Sequence, residues 1–180
     1  MRVISGKARG TVLKSPDGLL TRPTADRVKE ALFSIIQFEI PAARVLDLFG
    51  GTGQLGIEAI SRGAKSAVFV DKSSAACKLI RENLTKANMS DQAQIVCADY
   101  EGFLMQCKEK FDFIFLDPPY AEEFLENSLK IITEIDILQS GGIIVAERPV
   151  GKVLDAEFSG YSRSKDYKYG QTLLTLFRKA

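Results

Sequence analysis

Between Arg44 and Arg148, short apolar runs alternate with stretches in which apolar residues recur at helical spacing. The runs are continuous, as in residues 113–116 (FIFL), which is typical of parallel strands covered on both faces. Such alternation builds right-handed βαβ units and predicts an open, doubly wound α/β sheet. The predicted strands are Arg44–Phe49, Ser66–Asp71, Gln94–Ala98, Phe111–Asp117 and Gly142–Glu147. The predicted helices between them are Gln54–Arg62, Ser73–Ala87, Tyr100–Lys108 and Ala121–Ile135.

The two ends of the chain depart from this pattern. Glu157–Lys165 and Gln171–Arg178 are strand-like runs joined by residues 166–170, and they predict an antiparallel hairpin at the edge of the sheet. Before the core, a Gly-rich β segment (Met1–Lys14) precedes a helix that we expect Thr24 to cap. The length of 180 residues indicates one domain, with residues 1–40 as an N-terminal extension and residues 41–180 as the core.

Histidine is absent from the chain, so the commonest general base and metal ligand is missing. This excludes hydrolases of the Ser-His-Asp or Cys-His type, and we expect no metal site. Three cysteines without a CxxC pair indicate reduced, buried thiols in a cytoplasmic protein. No apolar run is long enough to cross a bilayer, so no membrane partner is expected.

Basic residues are concentrated at the two ends of the chain. Residues 1–37 hold seven Lys/Arg against three acids, and residues 148–180 hold the same numbers. The middle of the chain holds ten Lys/Arg against seventeen acids. This division suits an enzyme whose ends contact a polyanion, although scattered surface lysines would give the same count.

An apolar strand runs into a glycine-rich turn and then a helix at residues 45–56. The spacing fits GxGxxG at Gly51, Gly53 and Gly56, and Asp71 follows Gly51 by 20 residues. This fingerprint is typical of a dinucleotide site, and a carboxylate at position 71 suits the ribose of NAD or of S-adenosylmethionine (AdoMet) equally well. Asp47 favours AdoMet, because a carboxylate inside the strand would attract a cationic amino-acid end and repel a pyrophosphate.

The sequence Asp117-Pro118-Pro119-Tyr120 follows the fourth predicted strand. An exocyclic amine on a base is a poor nucleophile, because its lone pair is delocalised into the ring. The Asp117 carboxylate and the Pro118 carbonyl can each accept one N–H, which draws the nitrogen towards tetrahedral geometry. Pro118 and Pro119 stiffen the turn, and Tyr120 would stack on the base. The turn therefore predicts methyl transfer to a planar amino nitrogen.

Asp-Pro-Pro-Tyr is the motif of amino-methyltransferases acting on adenine N6, cytosine N4 or guanine N2. The chain more closely resembles the bacterial RsmD-type enzymes, which methylate guanine N2 in 16S small-subunit ribosomal RNA. The match covers nearly the whole length, and residues 22–33 (RPTADRVKEALF) are its most discriminating part. Three residues depart from the family pattern: Gly50 and Thr52 stand where many relatives have Ala and Ser, and Ala8 stands where an aromatic residue is common.

The resemblance implies a Rossmann-like, class I AdoMet-dependent methyltransferase fold, with a seven-stranded, mostly parallel sheet and helices on both faces. It also implies a set of residues that bind AdoMet: Asp47, Gly50, Gly51 and Gly53, then Asp71 on the ribose and Asp99 on the adenine amine, with Tyr100 or Lys72 nearby. We expect a monomer whose partner is ribosomal RNA, either naked or within a small-subunit particle.

Five basic side chains near the N-terminus form the predicted RNA-binding set: Arg2, Lys7, Arg9, Arg22 and Arg27. We expect them to lie beside the Asp-Pro-Pro-Tyr turn and to contact phosphates flanking a flipped guanine, with Gly6 and Gly10 allowing close backbone approach. The alternative is that Arg22 and Arg27 form ion pairs that dock the extension onto the core.

Three other functions remain open. A DNA or RNA adenine-N6 methyltransferase would use the same turn, but the DNA enzymes usually add a target-recognition domain. An NAD oxidoreductase would use the same glycine loop. A non-catalytic module that binds AdoMet or RNA would leave the Asp-Pro-Pro-Tyr turn unexplained.

Overall fold

The structure, a computed structural model, describes residues 1–16, 23–119, 122–151, 154 and 158–179. Its helices are α1 (Pro23–Ile35), α2 (Gln54–Ser61), α3 (Ser74–Lys86), α4 (Tyr100–Gln106) and α5 (Glu122–Ile135), with a 3-10 turn at Ser90–Gln92. Its strands are β1 (Arg44–Asp47), β2 (Ser66–Asp71), β3 (Ala93–Cys97), β4 (Phe111–Leu116), β5 (Leu138–Pro149), β6 (Tyr161–Arg163), β7 (Tyr167–Tyr169) and β8 (Thr172–Lys179).

The strands form one sheet in the order β3-β2-β1-β4-β5-β8-β6, with β7 also paired to β8. Strands β1 to β5 are parallel, and β8 runs antiparallel to its neighbours β5, β6 and β7. The doubly wound sheet and the edge hairpin are confirmed. The described residues form eight strands rather than the seven expected, because the segment expected to connect the hairpin pairs with β8 as β7.

Successive strand residues point to opposite sides of the sheet, so a continuous apolar strand makes both faces apolar. Helices cover both of these faces. On one face, Leu32 of α1, Ile57 of α2 and Ile80 of α3 pack in one core cluster. On the other face, Leu104 of α4 and Leu129 of α5 pack in a second cluster. Each fully buried aliphatic side chain of this kind contributes about 1.5–3 kcal/mol to folding. The predicted helices on both faces are therefore confirmed.

Some boundaries and one burial prediction differ from those expected. The first helix begins at Pro23, before the expected Thr24 cap, since proline is favoured at the first helical position. Strand β5 begins four residues early, at Leu138, which pairs with Phe111 across a register shift. All three cysteines are free, as expected, but Cys97 is exposed, so the prediction that all three are buried was wrong. In the described ranges, every helix is too short or too polar to span a membrane.

The N-terminal segment packs along α2. An isolated antiparallel bridge joins Arg2 to Val12, and the Lys7 N–H donates to the Ser61 carbonyl at 2.8 Å. Gly6 has a φ of +84°, and a Cβ there would lie 1.8 Å from the Ser61 carbonyl oxygen. The close approach predicted for Gly6 is therefore an approach to the protein's own α2.

A buried carboxylate holds this segment in place. Glu58 is fully buried, and its oxygens accept the N–H groups of Ile4 and Ser5 at 2.8 and 3.0 Å. The Arg62 side chain donates to Glu58 at 2.7 Å, and the buried Lys29 ammonium lies 3.7 Å away. Lys29 also donates to the Arg2 carbonyl at 2.7 Å. Burial lowers the pKa of Lys29, and the charge of Glu58 opposes that shift.

Candidate active site

A cavity of about 860 Å³ opens at the carboxyl ends of β1, β2, β4 and β5. The chain order of the strands reverses between β1 and β4, so the cavity lies at the topological switch point, where open α/β sheets bind ligands. Its size falls in the range of small-molecule sites. Met1 and Val28 from the extension also line it, as do residues 170–172 between β7 and β8.

The glycine loop joins β1 to α2 and is tied to the end of β2. The Asp71 carboxylate accepts the Gly51 N–H at 2.9 Å with one oxygen and the Ser73 N–H at 2.8 Å with the other. Gly53 adopts a φ of +79° directly before α2 begins. A Cβ at Gly50 would lie 2.8 Å from the Ile80 side chain. A residue larger than glycine at position 50 would therefore require the end of the Ile80 side chain to move.

Asp47, the last residue of β1, is a buried carboxylate, with 2% of its surface exposed. Its Oδ2 accepts the Gly56 N–H at 3.1 Å. Burial raises the pKa of Asp47 to about 7, and the charges of Asp117 and Asp71 add to the shift, while the Gly56 hydrogen bond opposes it. A cation beside Asp47 would reverse this effect, because it would stabilise the ionised form.

Aromatic rings form one wall of the cavity. The Tyr100 ring centroid lies 5.3 Å from that of Phe49 and 5.7 Å from that of Phe124. The Lys72 ammonium lies 5.8 Å from the Phe124 centroid. Asp99 caps α4, since its carboxylate accepts the Glu101 N–H at 3.1 Å. Burial raises the pKa of Tyr100 to about 12, and its hydroxyl hydrogen-bonds to Glu101.

Asp117 directly follows β4 and lines the cavity together with Pro118 and Pro119. Its side chain is half-buried, and burial raises its pKa above the ordinary value. Among the described residues, no group forms a hydrogen bond or an ion pair with this carboxylate. Tyr120 lies outside the described residues, so its place over the base stays a prediction.

Glu147 is a cavity residue that the sequence analysis did not select. Leu116 of β4 pairs with Ala146 of β5. Asp117 and Glu147 are the residues that directly follow this pair, so they lie at the same level of the sheet. Burial, then the charge of Asp117, raises the pKa of Glu147. The sequence held a signal for this residue, because the fifth predicted strand ended on a carboxylate at the same sheet edge.

The predicted RNA-binding set is spread along the extension. Arg2, Arg9 and Arg27 are exposed, the Lys7 ammonium contacts the Gln92 side chain, and Arg22 lies outside the described residues. Lys7 is held at the Ser61 end of α2, and eight helical residues at about 1.5 Å each place that end roughly 12 Å from the glycine loop. In sequence, Arg2 and Arg27 are the neighbours of the cavity residues Met1 and Val28. Within the described ranges, no ion pair involves Arg27, and the buried pair that holds the extension is Lys29 with Glu58.

Comparisons with known proteins agree with this geometry. The family model described as "Conserved hypothetical protein 95" matches residues 1–178. YlbH of Bacillus subtilis (strain 168), whose name proposes an rRNA methyltransferase, is 38% identical over 99% of this chain and 99% of that protein. "Ribosomal RNA small subunit methyltransferase D" of Escherichia coli (strain K12) is 31% identical over 99% of this chain and 90% of that protein. The solved structure of yhhF from Escherichia coli superimposes with a TM-score of 0.90 at 29% identity, over 99% of this chain and 97% of that one.

The chain therefore belongs to the Conserved hypothetical protein 95 family, which is the RsmD family that its motifs resemble. The predicted class I methyltransferase fold is confirmed by the sheet topology and by these relatives. The roles of individual site residues stay predictions, and they enter the proposal below.

Proposed function

We propose that this chain, as a member of the RsmD family, transfers a methyl group from AdoMet to the exocyclic N2 amine of a guanine in 16S ribosomal RNA. The observation that carries the proposal is the Asp117 carboxylate, which faces the cavity half-buried and unpartnered within the described residues. Such an acceptor suits an amine donor. The relatives named for small-subunit ribosomal RNA supply the substrate class, and the family resemblance supplies guanine N2.

The residues of the cavity fit AdoMet, which when bound supplies an electrophilic methyl group on a sulfonium. Asp47 is a buried carboxylate that, among the described residues, accepts one backbone N–H, and a cationic ammonium would suit it as a partner. Each Asp71 oxygen accepts one backbone N–H and has capacity for a ribose hydroxyl. The rings of Phe49 and Tyr100 form an apolar wall for the adenine. The amine of the adenine would donate a hydrogen bond to Asp99.

The chemistry at the amine is assigned to the turn after β4. The Asp117 carboxylate and the Pro118 carbonyl each accept one N–H of the amine and so orient its lone pair. Once the nitrogen has become cationic, Asp117 takes the proton that it loses. Because burial raises the pKa of Asp117, this carboxylate is a better proton acceptor near neutral pH than a fully solvated aspartate. Pro119 keeps the turn rigid, and Tyr120 is assigned to stack on the base.

The remaining assignments concern the whole protein. We assign the phosphates flanking the target base to Arg2 and Arg27, because both are exposed and each is next in sequence to a residue that lines the cavity. We propose a single domain that acts as a monomer in the cytoplasm without a metal ion. Among the described residues, no group of three or more acidic or cysteine side chains is arranged to hold a metal.

The test uses purified protein, methyl-labelled AdoMet, and small-subunit RNA from cells that lack this protein, both free and in assembled particles. We expect labelled N2-methylguanosine when the nucleosides from the digested RNA are separated and identified by mass spectrometry. Label in N6-methyladenosine would instead establish the adenine enzyme. Binding of S-adenosylhomocysteine without any label in RNA, in both substrate forms, would establish a non-catalytic module. The Asp117→Ala variant serves as the inactive control that retains the cofactor site.

A further inference from the structure

Two carboxylates stand side by side at the carboxyl edge of β4 and β5. Neighbouring strands lie about 4.8 Å apart, and the Leu116–Ala146 register brings Asp117 and Glu147 to the same level. Leu116 and Ala146 both belong to the core cluster under α4 and α5. Because strand side chains alternate, Glu147 projects to the opposite side, towards the face covered by α1, α2 and α3.

Within the described part of the chain, the Glu147 carboxylate has no structural partner. It lines the cavity half-buried, and no described residue forms a hydrogen bond or salt bridge with it. The basic residue that follows it, Arg148, is paired elsewhere, since its guanidinium contacts Asp166 and lies 3.4 Å from the Thr175 hydroxyl. The carboxylate is therefore available to a ligand in the cavity.

Guanine differs from the other amino-bearing bases at the atom beside its amine. Guanine carries an N1–H donor next to the N2 amine. The N1–H and one N2–H therefore point in the same direction from one edge of the base. Adenine and cytosine each carry a ring nitrogen with a lone pair next to the amine instead. A second carboxylate beside Asp117 can accept the donor of guanine, but it would face the lone pair of adenine or cytosine and repel it.

We propose that Glu147 is the residue that selects guanine: its carboxylate accepts N1–H while Asp117 and the Pro118 carbonyl accept the two N2–H groups. This inference rests on the proposed function. The electrostatics agree with it, because the charge of Asp117 makes the half-buried Glu147 harder to ionise, and a donor from guanine favours its ionised form. The ionised form of Glu147 therefore repels a base without the N1–H, and such a base can pair only with the protonated acid.

The test compares two RNAs that differ at one position, the guanosine found to be methylated. In one RNA that position keeps guanosine, and in the other, splint-ligated RNA it carries 2,6-diaminopurine. The two bases present the same 2-amine, but diaminopurine has a lone pair at N1 and an amine in place of the 6-oxygen. The measured quantity is kcat/KM for each RNA, together with the affinity for S-adenosylhomocysteine from calorimetry.

For the wild type we expect guanosine to be preferred over diaminopurine by at least tenfold. For Glu147→Gln we expect slower methylation of guanosine and a preference that falls below about threefold, since an amide can donate to N1. Glu147→Asp should keep the preference, because it keeps the charge. Glu123→Gln, an exposed change on α5, is the matched control and should leave both rates unchanged.

The outcomes separate the two proposals. If the wild type methylates guanosine and diaminopurine equally well, the role of Glu147 is refuted without any variant. An undiminished preference in a folded Glu147→Gln protein refutes it as well, while guanine-N2 methylation itself stands. If no guanosine is methylated in the test of the proposed function, that function fails and the inference fails with it.

Discussion

Asp47→Asn should stabilise the free protein while it removes most of the affinity for AdoMet. The side chain is 2% exposed, and in the described part of the chain its hydrogen-bond partner is the Gly56 N–H. An asparagine oxygen can keep that hydrogen bond. The substitution therefore removes a buried negative charge and leaves the local backbone contact in place.

The size of the stabilisation follows from the pKa of Asp47, which is about 7 in the folded chain against an ordinary value of 3.8. Three units correspond to about 4 kcal/mol at 1.36 kcal/mol per unit. The folded state binds the proton more tightly than the unfolded state, so ionisation destabilises the fold. This cost is absent below about pH 4, grows as the pH rises to about 7, and is constant above that value.

The assay is thermal unfolding of wild type and Asp47→Asn between pH 4 and pH 8, without cofactor. For a chain of this length, about 4 kcal/mol corresponds to a rise in Tm of about 8–16 °C at pH 8, and the two proteins should converge at pH 4. The exposed Asp91→Asn changes the net charge equally and should show no such trend. In calorimetry at pH 8, affinity for S-adenosylhomocysteine should fall about 10- to 150-fold, which is about 1.5–3 kcal/mol for a charged hydrogen bond. The reasoning is refuted if the difference in Tm between Asp47→Asn and wild type is no larger at pH 8 than at pH 4.

Four further results are expected. Asp71→Ala should lose about 1.5–3 kcal/mol of S-adenosylhomocysteine affinity in calorimetry, because the ribose hydroxyls lose a charged acceptor; unchanged binding would rule the assignment out. Asp117→Ala should fold and bind S-adenosylhomocysteine as wild type does but lose most turnover, and Asp117→Asn should be partly active at best, since its amide oxygen accepts without charge; a near wild-type rate for Asp117→Ala would contradict the mechanism. Arg27→Ala should reduce the salt slope of RNA binding by about 1, whereas Arg9→Ala, near the far end of α2, should change it less; a wild-type slope for Arg27→Ala would disprove a phosphate contact by Arg27. Glu58→Ala should lower the free energy of unfolding by about 3–5 kcal/mol in urea titrations, because it leaves Lys29 buried without its carboxylate; a loss below about 1 kcal/mol would mean that the extension docks by other contacts.

The fold was predictable because its signals are local. Continuous apolar runs such as residues 113–116 read directly as buried parallel strands, and β2 was predicted to the residue. The short strand β7 could not be found in this way. Its three residues, Tyr167–Tyr169, pair with Thr172–Leu174 across a tight turn, and that pairing depends on where β8 lies rather than on an apolar pattern.

The site was predictable where a motif lies at a strand end, since the carboxyl edge of a parallel sheet gathers such ends. Asp47, Asp71 and Asp117 all line one cavity for this reason. The position of the basic extension was not predictable, because it depends on long-range contacts. The Ile4 and Ser5 amides reach Glu58, 54 and 53 residues away in sequence, and nothing local to either segment indicates that pairing.

The division of charge along the chain now has a structural interpretation. The cavity that we assign to the base and to AdoMet is lined by five carboxylates: Asp47, Asp71, Asp99, Asp117 and Glu147. An RNA backbone that approaches such an opening meets like charge, and this repulsion grows as salt is lowered. An enzyme that holds its catalytic carboxylates unpaired therefore needs cations around the opening, where they attract the phosphates without neutralising the acids inside. We assign this role to Arg2 and Arg27, which are exposed and are the sequence neighbours of the cavity residues Met1 and Val28. On these assignments, the acidic middle of the sequence supplies acceptors for the amine, and the basic N-terminal end supplies cations for the RNA backbone.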